Sequence, residues 1–160
     1  MIFLTVGTQL PFDRLVGAVD RWAATRPGAD VVAQVGPTAL RPAAVAWERF
    51  LPPAECRERM RAADAIVAHA GMGTILSALE LGTPIVVMPR AAALGEHRND
   101  HQLATARRFA ELGSVAVAFD EAELHARLDA LGGLAAGGRI GSHAEGPLVE
   151  AVRTFIGGAW

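Results

Sequence analysis

Short runs of consecutive apolar residues alternate along the chain with stretches whose apolar residues recur every three or four positions. Residues 2–6 (IFLTV) form the first continuous run. In residues 11–25, Phe12, Leu15, Val16, Val19, Trp22 and Ala23 fall near helical spacing. Apolar runs return at 30–36, 65–69, 84–89 and 114–119, AWERF (46–50) is a further candidate strand, and helical patterns fall at 54–63, 74–82, 99–113, 120–131 and 147–158. Residues 132–146 are a glycine-rich loop. The helical segments open on Asp or Pro and several close on Gly, which is ordinary cap chemistry.

Apart from 46–50, the runs predicted as strands are short, rich in β-branched residues and largely apolar. A strand with one wet face alternates, whereas a strand covered on both faces does not, and such strands belong to parallel sheets flanked by helices. Alternating β and α segments then predict an α/β fold, a Rossmann-like doubly wound parallel sheet. Residues 1–160 read as one domain, with no internal repeat and no linker. Ligands of such sheets bind beyond the carboxyl ends of the strands. The segments that leave those ends are Gly7-Thr8-Gln9, Gln34 to Gly36, Phe50-Leu51, His69 to Thr74 and Pro89-Arg90. They are expected to meet on one rim.

The sharpest of these is HAGMGT, residues 69–74. Gly71 and Gly73 bare the backbone, and the first amides of the following helix lack intrahelical partners and favour an anion. Thr74 is placed to cap that helix or to donate to a phosphate, and His69 to donate to a phosphate oxygen. The alternative is a tight strand-to-helix turn holding a buried, hydrogen-bonded histidine. The connection at 90–102 packs Arg90, Glu96, His97, Arg98, Asn99, Asp100, His101 and Gln102 together. That density of hydrogen-bonding groups suits a polyhydroxylated ligand, or a solvated loop.

Composition narrows the chemistry further. All fifteen cationic residues are arginines, so a lysine Schiff base and a phosphate-binding Walker lysine are excluded. A net charge of −2 gives no general attraction to nucleic acid or anionic lipid. The single cysteine, Cys56, forbids an intramolecular disulfide and is expected to be an inert thiol in a reducing cytoplasm. No apolar run approaches the roughly 20 residues that span a bilayer, and the N-terminus lacks the basic region of a signal peptide. His97 and His101 are four apart but have no third ligand at a familiar spacing, so no metal site is expected. There is no G-x-S-x-G elbow, and no G-x-G-x-x-G follows the first strand.

Three stretches, FLTVGTQLPFDRL, ADAIVAHAGMGTILSALELGTPIVVMPR and GEHRNDHQLATARRFAELG, together resemble the C-terminal, nucleotide-sugar-binding half of GT-B glycosyltransferases of family 28. The resemblance runs to about Gly113. It is strongest to free-standing single-domain subunits, such as the bacterial exopolysaccharide glucuronosyltransferase subunit. It implies a UDP-sugar donor. His69, Gly71, Met72, Gly73 and Thr74 would hold the diphosphate, Gly7 and Thr8 would line the cleft, and Phe50 and Leu51 would lie against the uracil. Glu96, Asp100 and Gln102 would meet hydroxyls of the donor sugar, His97 would also belong to the donor site, and Arg90 would face the sugar or the diphosphate. Many relatives carry a ribose-gripping glutamate where this chain has Ser77; Glu80, one turn later, is the candidate substitute.

Two-domain members of the family supply the acceptor site and usually the general base from a domain absent from this sequence. The resemblance therefore implies a membrane-anchored, acceptor-binding partner subunit, a lipid-linked saccharide acceptor, and a cytoplasmic chain recruited to the inner face of the membrane. The expected reaction is an inverting hexosyl transfer needing no metal or other cofactor and no nucleic acid, with His69 and Arg90 stabilising the leaving UDP. The alternatives are a non-catalytic nucleotide-sugar-binding subunit and, behind it, an epimerase of the same architecture.

Overall fold

A computed structural model describes residues 1–131 together with Thr154; the loop at 132–146 and, Thr154 apart, the helix expected at 147–158 lie outside the described residues. The strands are β1 (Ile2–Thr5), β2 (Val31–Gln34), β3 (Ala46–Glu48), β4 (Ala65–His69), β5 (Ile85–Met88) and β6 (Ala116–Val117). The helices are α1 (Asp13–Ala24), α2 (Pro53–Ala62), α3 (Met72–Leu81), α4 (His101–Leu112) and α5 (Glu121–Asp129). A 3₁₀ turn spans Ala92–Leu94. Each described segment has the type the hydrophobic pattern predicts, with ends shifted by a few residues.

The six strands form one sheet in the order β3-β2-β1-β4-β5-β6, and every pairing is parallel. Alternate residues of each strand face opposite layers. Leu4, Val67, Val86 and Met88 join the core under α1 and α5. Phe3, Ile66, Ala68, Ile85 and Val87 join the core under α2, α3 and α4. Phe3 and Leu4 are both fully buried on opposite faces, which is why the run shows no polar alternation. Burying one such side chain stabilises the fold by about 1.5–3 kcal/mol.

The functional consequence lies in the strand order. The chain leaves β1 toward β2 on one side and enters β4 on the other, so β1 and β4 flank the switch point where a crevice must open. Their register pairs Thr5 with Ala68, so His69 stands one residue beyond the paired edge.

Candidate functional site

At that switch point lies a cavity of about 450 Å³. Its wall is built from Thr5 to Leu10 after β1, Gln34 at the end of β2, and His69, Gly71, Gly73 and Thr74 between β4 and α3. Cys56 and Met60 of α2, Arg90 after β5, and His97 and Gln102 before and in α4 complete it. Among the described residues the wall contains no aspartate or glutamate. Four of the five expected rim segments thus contribute to one space, and Phe50-Leu51 does not.

The helix start differs from the expected one. α3 begins at Met72, not Thr74, with Gly71 as its N-cap and no side-chain cap. Thr74 therefore lies in the first turn and caps nothing. The first backbone bond into the helix is Ile75 N to Gly71 O, so the amides of Met72, Gly73 and Thr74 precede the intrahelical ladder. No acidic residue occupies that turn. A Cβ built on Gly73 would meet nothing within 4 Å, so its backbone is open to a ligand.

Gly71 serves a different purpose. A Cβ there would stand 2.1 Å from Nε2 of His69, and one on Gly7 would stand 2.9 Å from Cε1 of the same ring. The His69 imidazole is thus bracketed by two glycines. Gly7 has the further reason of a φ of +76°, a conformation that favours glycine. Nδ1 of His69 is buried without a hydrogen-bond partner. Burial lowers the pKa of His69 to about 4, the Arg90 charge acts in the same direction, and the Thr5 backbone opposes them. At neutral pH the ring is uncharged, so what it can offer an anion is a donated hydrogen bond rather than a positive charge.

That shift makes His69 a pH-dependent element of stability. The folded pKa is below the unfolded value, so the unfolded chain binds more protons between about pH 4 and 6.5, and stability falls as pH drops through that window. The loss should be on the order of 3 kcal/mol and should level off below pH 4. Urea unfolding of the protein and of His69→Asn from pH 7 to 4 checks this. The stability difference between the two should shrink toward acid; parallel curves would show that His69 does not titrate in this way.

Arg90 is only 3% exposed. Its Nη2 donates to the Val6 carbonyl at 2.9 Å and the Leu10 carbonyl at 2.7 Å, and its guanidinium lies 4.8 Å from the Phe12 ring centre. Burial lowers its pKa and Glu96 raises it. Arg90 therefore braces the turn after β1 as well as lining the cavity, with Nε still lacking a partner. Gln34, 3% exposed, ties three segments together. Its Nε2 donates to the Gly7 carbonyl at 3.3 Å and lies 3.5 Å from Thr5 Oγ1, while its Oε1 accepts from Leu51 N at 3.2 Å.

Several residues expected at the ligand are engaged elsewhere or off the wall. Glu96 accepts from Arg14 Nε at 2.7 Å, from Arg14 Nη2 at 2.8 Å, and from Ala91 N at 2.9 Å. With both oxygens occupied, it locks the connection after β5 onto α1. Arg14 also donates to the Pro89 carbonyl at 2.9 Å. Asp100 accepts from Ala92 N at 2.9 Å. Glu80 pairs with Arg57 of α2 at 3.3 Å. Phe50 is half exposed and off the wall, Leu51 is fixed by Gln34, Met72 packs against the core, and Ser77 sits one turn beyond Thr74. Gly7, Thr8, His69, Gly71, Gly73, Thr74, Arg90, His97 and Gln102 do line the space. Gln102 accepts from Arg90 N at 3.1 Å through Oε1.

Cys56, Met60 and Arg14 were not anticipated at or around the site. Cys56 and Met60 carry no polar signal at a strand end, and Arg14 is recognisable only once α1 faces the loop after β5. Burial pushes the Cys56 thiol above its ordinary value, which disfavours the nucleophilic thiolate. Among the described residues, no cluster of histidine, cysteine and carboxylate side chains could hold a metal. No helix there is long and apolar enough to cross a membrane.

Solved structures of glycosyltransferases share this architecture. ALG13 aligns over 94% of this chain and 93% of its own, with 20% identity and a TM-score of 0.60. MurG of Acinetobacter baumannii aligns over 98% of this chain and 49% of its own, with 21% identity and a TM-score of 0.59. The glycotransferase of kitacinnamycin aligns over 81% of this chain with 24% identity and a TM-score of 0.59, and this chain spans only 34% of it. At these identities the likeness establishes the fold. No curated protein matches the chain. Residues 1–132 match the glycosyltransferase family 28 C-terminal domain, and the chain belongs to that family.

Proposed function

We propose that the chain is the donor-binding subunit of a UDP-sugar glycosyltransferase that passes a hexosyl group to a lipid-linked acceptor in exopolysaccharide or glycan assembly. The observation that carries this reading is a carboxylate-free cavity opening onto the uncapped N-terminus of α3. A diphosphate is the ligand such a wall suits best. The amides of Met72, Gly73 and Thr74 offer preorganised donors, the helix dipole favours negative charge, and a neutral His69 adds a donor. Among the described residues the wall carries no acid to repel the anion.

In the transfer, the acceptor oxygen bonds to the anomeric carbon while the bond from that carbon to the β-phosphate oxygen breaks. UDP departs with the electron pair. The α3 amides stabilise the charge that develops on it without requiring a metal. The acceptor proton must go to a base, and no carboxylate is on the described wall to receive it. We assign that base, and the acceptor site, to a membrane-anchored partner that recruits the chain to the cytoplasmic face of the membrane. The same absence favours, as second reading, a subunit that binds the nucleotide sugar and catalyses nothing.

Calorimetric titration of the purified chain should give a UDP dissociation constant between micromolar and millimolar. Transferase assays with and without the membrane partner should show turnover only in the mixture. Full turnover by the chain alone would overturn the split-enzyme reading, and no turnover in the mixture despite UDP binding would favour the binding subunit.

A further inference from the structure

We infer that Arg14 and Glu96 are positioning residues for the sugar end of the donor: their ion pair, which stands off the cavity wall, sets where the connection between β5 and α4 presents Arg90 and His97. The inference rests on the nucleotide-sugar reading of the cavity and adds what holds one side of it in place. Neither Arg14 nor Glu96 lines the cavity. They meet as a fork, Arg14 Nε on one Glu96 oxygen at 2.7 Å and Nη2 on the other at 2.8 Å, with side chains only 18% and 12% exposed. Such a two-pronged pair is charge-assisted and fixed in direction. It also takes hold of the chain on both sides of Arg90. Arg14 Nη2 donates to the Pro89 carbonyl at 2.9 Å, and Glu96 accepts from Ala91 N at 2.9 Å.

A second contact couples the same two arginines. The buried Phe12 ring has the Arg14 guanidinium 5.4 Å and the Arg90 guanidinium 4.8 Å from its centre. Among the described residues, the other hydrogen bonds of residues 91–99 stay within the connection or run to Asp100 and His101 at the start of α4. The Arg14–Glu96 pair is therefore the tie between that connection and α1. The strand order puts β5 beyond β4, on the side away from β1 and β2. A ligand held by its diphosphate at α3 sends one end each way. Arg90, His97 and Gln102 form the wall on the β5 side, and their hydrogen-bonding groups suit the many hydroxyls of a sugar. Opening the fork should loosen that side and leave the α3 amides where they are.

The test is calorimetric titration of the full chain with UDP, UDP-glucose, UDP-glucuronic acid and UDP-N-acetylglucosamine, with a melting curve for each variant. For the sugar nucleotide that the unaltered chain binds most tightly, the ratio of its dissociation constant to that of UDP should rise by about tenfold in Glu96→Gln and Arg14→Gln, while UDP itself stays within about threefold. Should Arg14→Gln fail to fold, the milder Glu96→Gln decides alone. Arg26→Gln breaks a different ion pair of α1, that with Asp129, and should lower stability without moving the ratio. An unchanged ratio in folded Glu96→Gln, an equal loss for UDP and the sugar nucleotide, or the same rise in Arg26→Gln overturns the inference. A chain that binds UDP but none of the sugar nucleotides overturns it while leaving the diphosphate reading standing. A chain that binds no UDP overturns that reading, and the inference with it.

Discussion

Gly71→Ala is expected to destabilise the protein by about 2–3 kcal/mol, the upper part of the range for overpacking in a tight interior. Backbone strain is not the reason, because Gly71 has φ −86° and ψ 129°, which any L-residue adopts. The cause is the new methyl group, which would overlap Nε2 of His69 at 2.1 Å, with Cδ2 at 2.8 Å and Cε1 at 3.0 Å. The ring has no simple retreat, since the bare Cα of Gly7 bounds it as well. For a chain of this length the loss should lower Tm by roughly 5–10 °C. Removing the ring should relieve the clash. His69→Ala/Gly71→Ala should therefore be markedly more stable than the sum of the single variants, with a coupling of at least about 1 kcal/mol. Thermal and urea unfolding of the four proteins measures it. Strict additivity would show that Gly71 is small for some reason other than His69.

Gly73→Asp should do the opposite: leave the fold intact and remove the ligand. Space is open around the Gly73 Cβ, and an aspartate in the first turn of a helix is favoured by the dipole by about 0.3–1 kcal/mol. Stability should hold or rise slightly. UDP affinity should fall by about a hundredfold or more, because the carboxylate takes the anion's place at the α3 amides and repels the diphosphate. The magnitude corresponds to losing one or two charge-assisted hydrogen bonds. Calorimetry paired with a melting curve checks both halves. Unchanged UDP binding in a folded Gly73→Asp would sink the placement of the diphosphate at this helix.

The two glycines of one motif thus have unrelated causes. In the sequence they form a single G-x-G signal, legible as a turn that brings bare backbone to an anion. The structure leaves the space around Gly73 open and gives Gly71 to the packing of His69. The histidine shows a similar division. Its position at a strand tip was legible; its neutrality was not, because the pKa depends on burial and on Arg90, which is 21 residues away and arrives on another strand. The acidic residues of 90–102 were legible as a polar cluster. That Glu96 spends both oxygens on Arg14 depends on α1 lying against that connection, which no local pattern encodes.

The sequence by itself determined the element types and the parallel sheet, since a strand buried on two faces needs an uninterrupted apolar run and a helix buried on one needs a periodic one. It also determined which segments leave the strand ends, and so the materials of the rim. Only the tertiary structure decided which of those side chains face the cavity and which face one another. Glu80, Glu96 and Asp100 turn to protein partners, because Arg57, Arg14 and the Ala92 amide come within hydrogen-bonding reach only when the helices and the connection after β5 fold back on the sheet. Side-chain allegiance is set by neighbours distant in sequence, and a one-dimensional pattern carries no record of them.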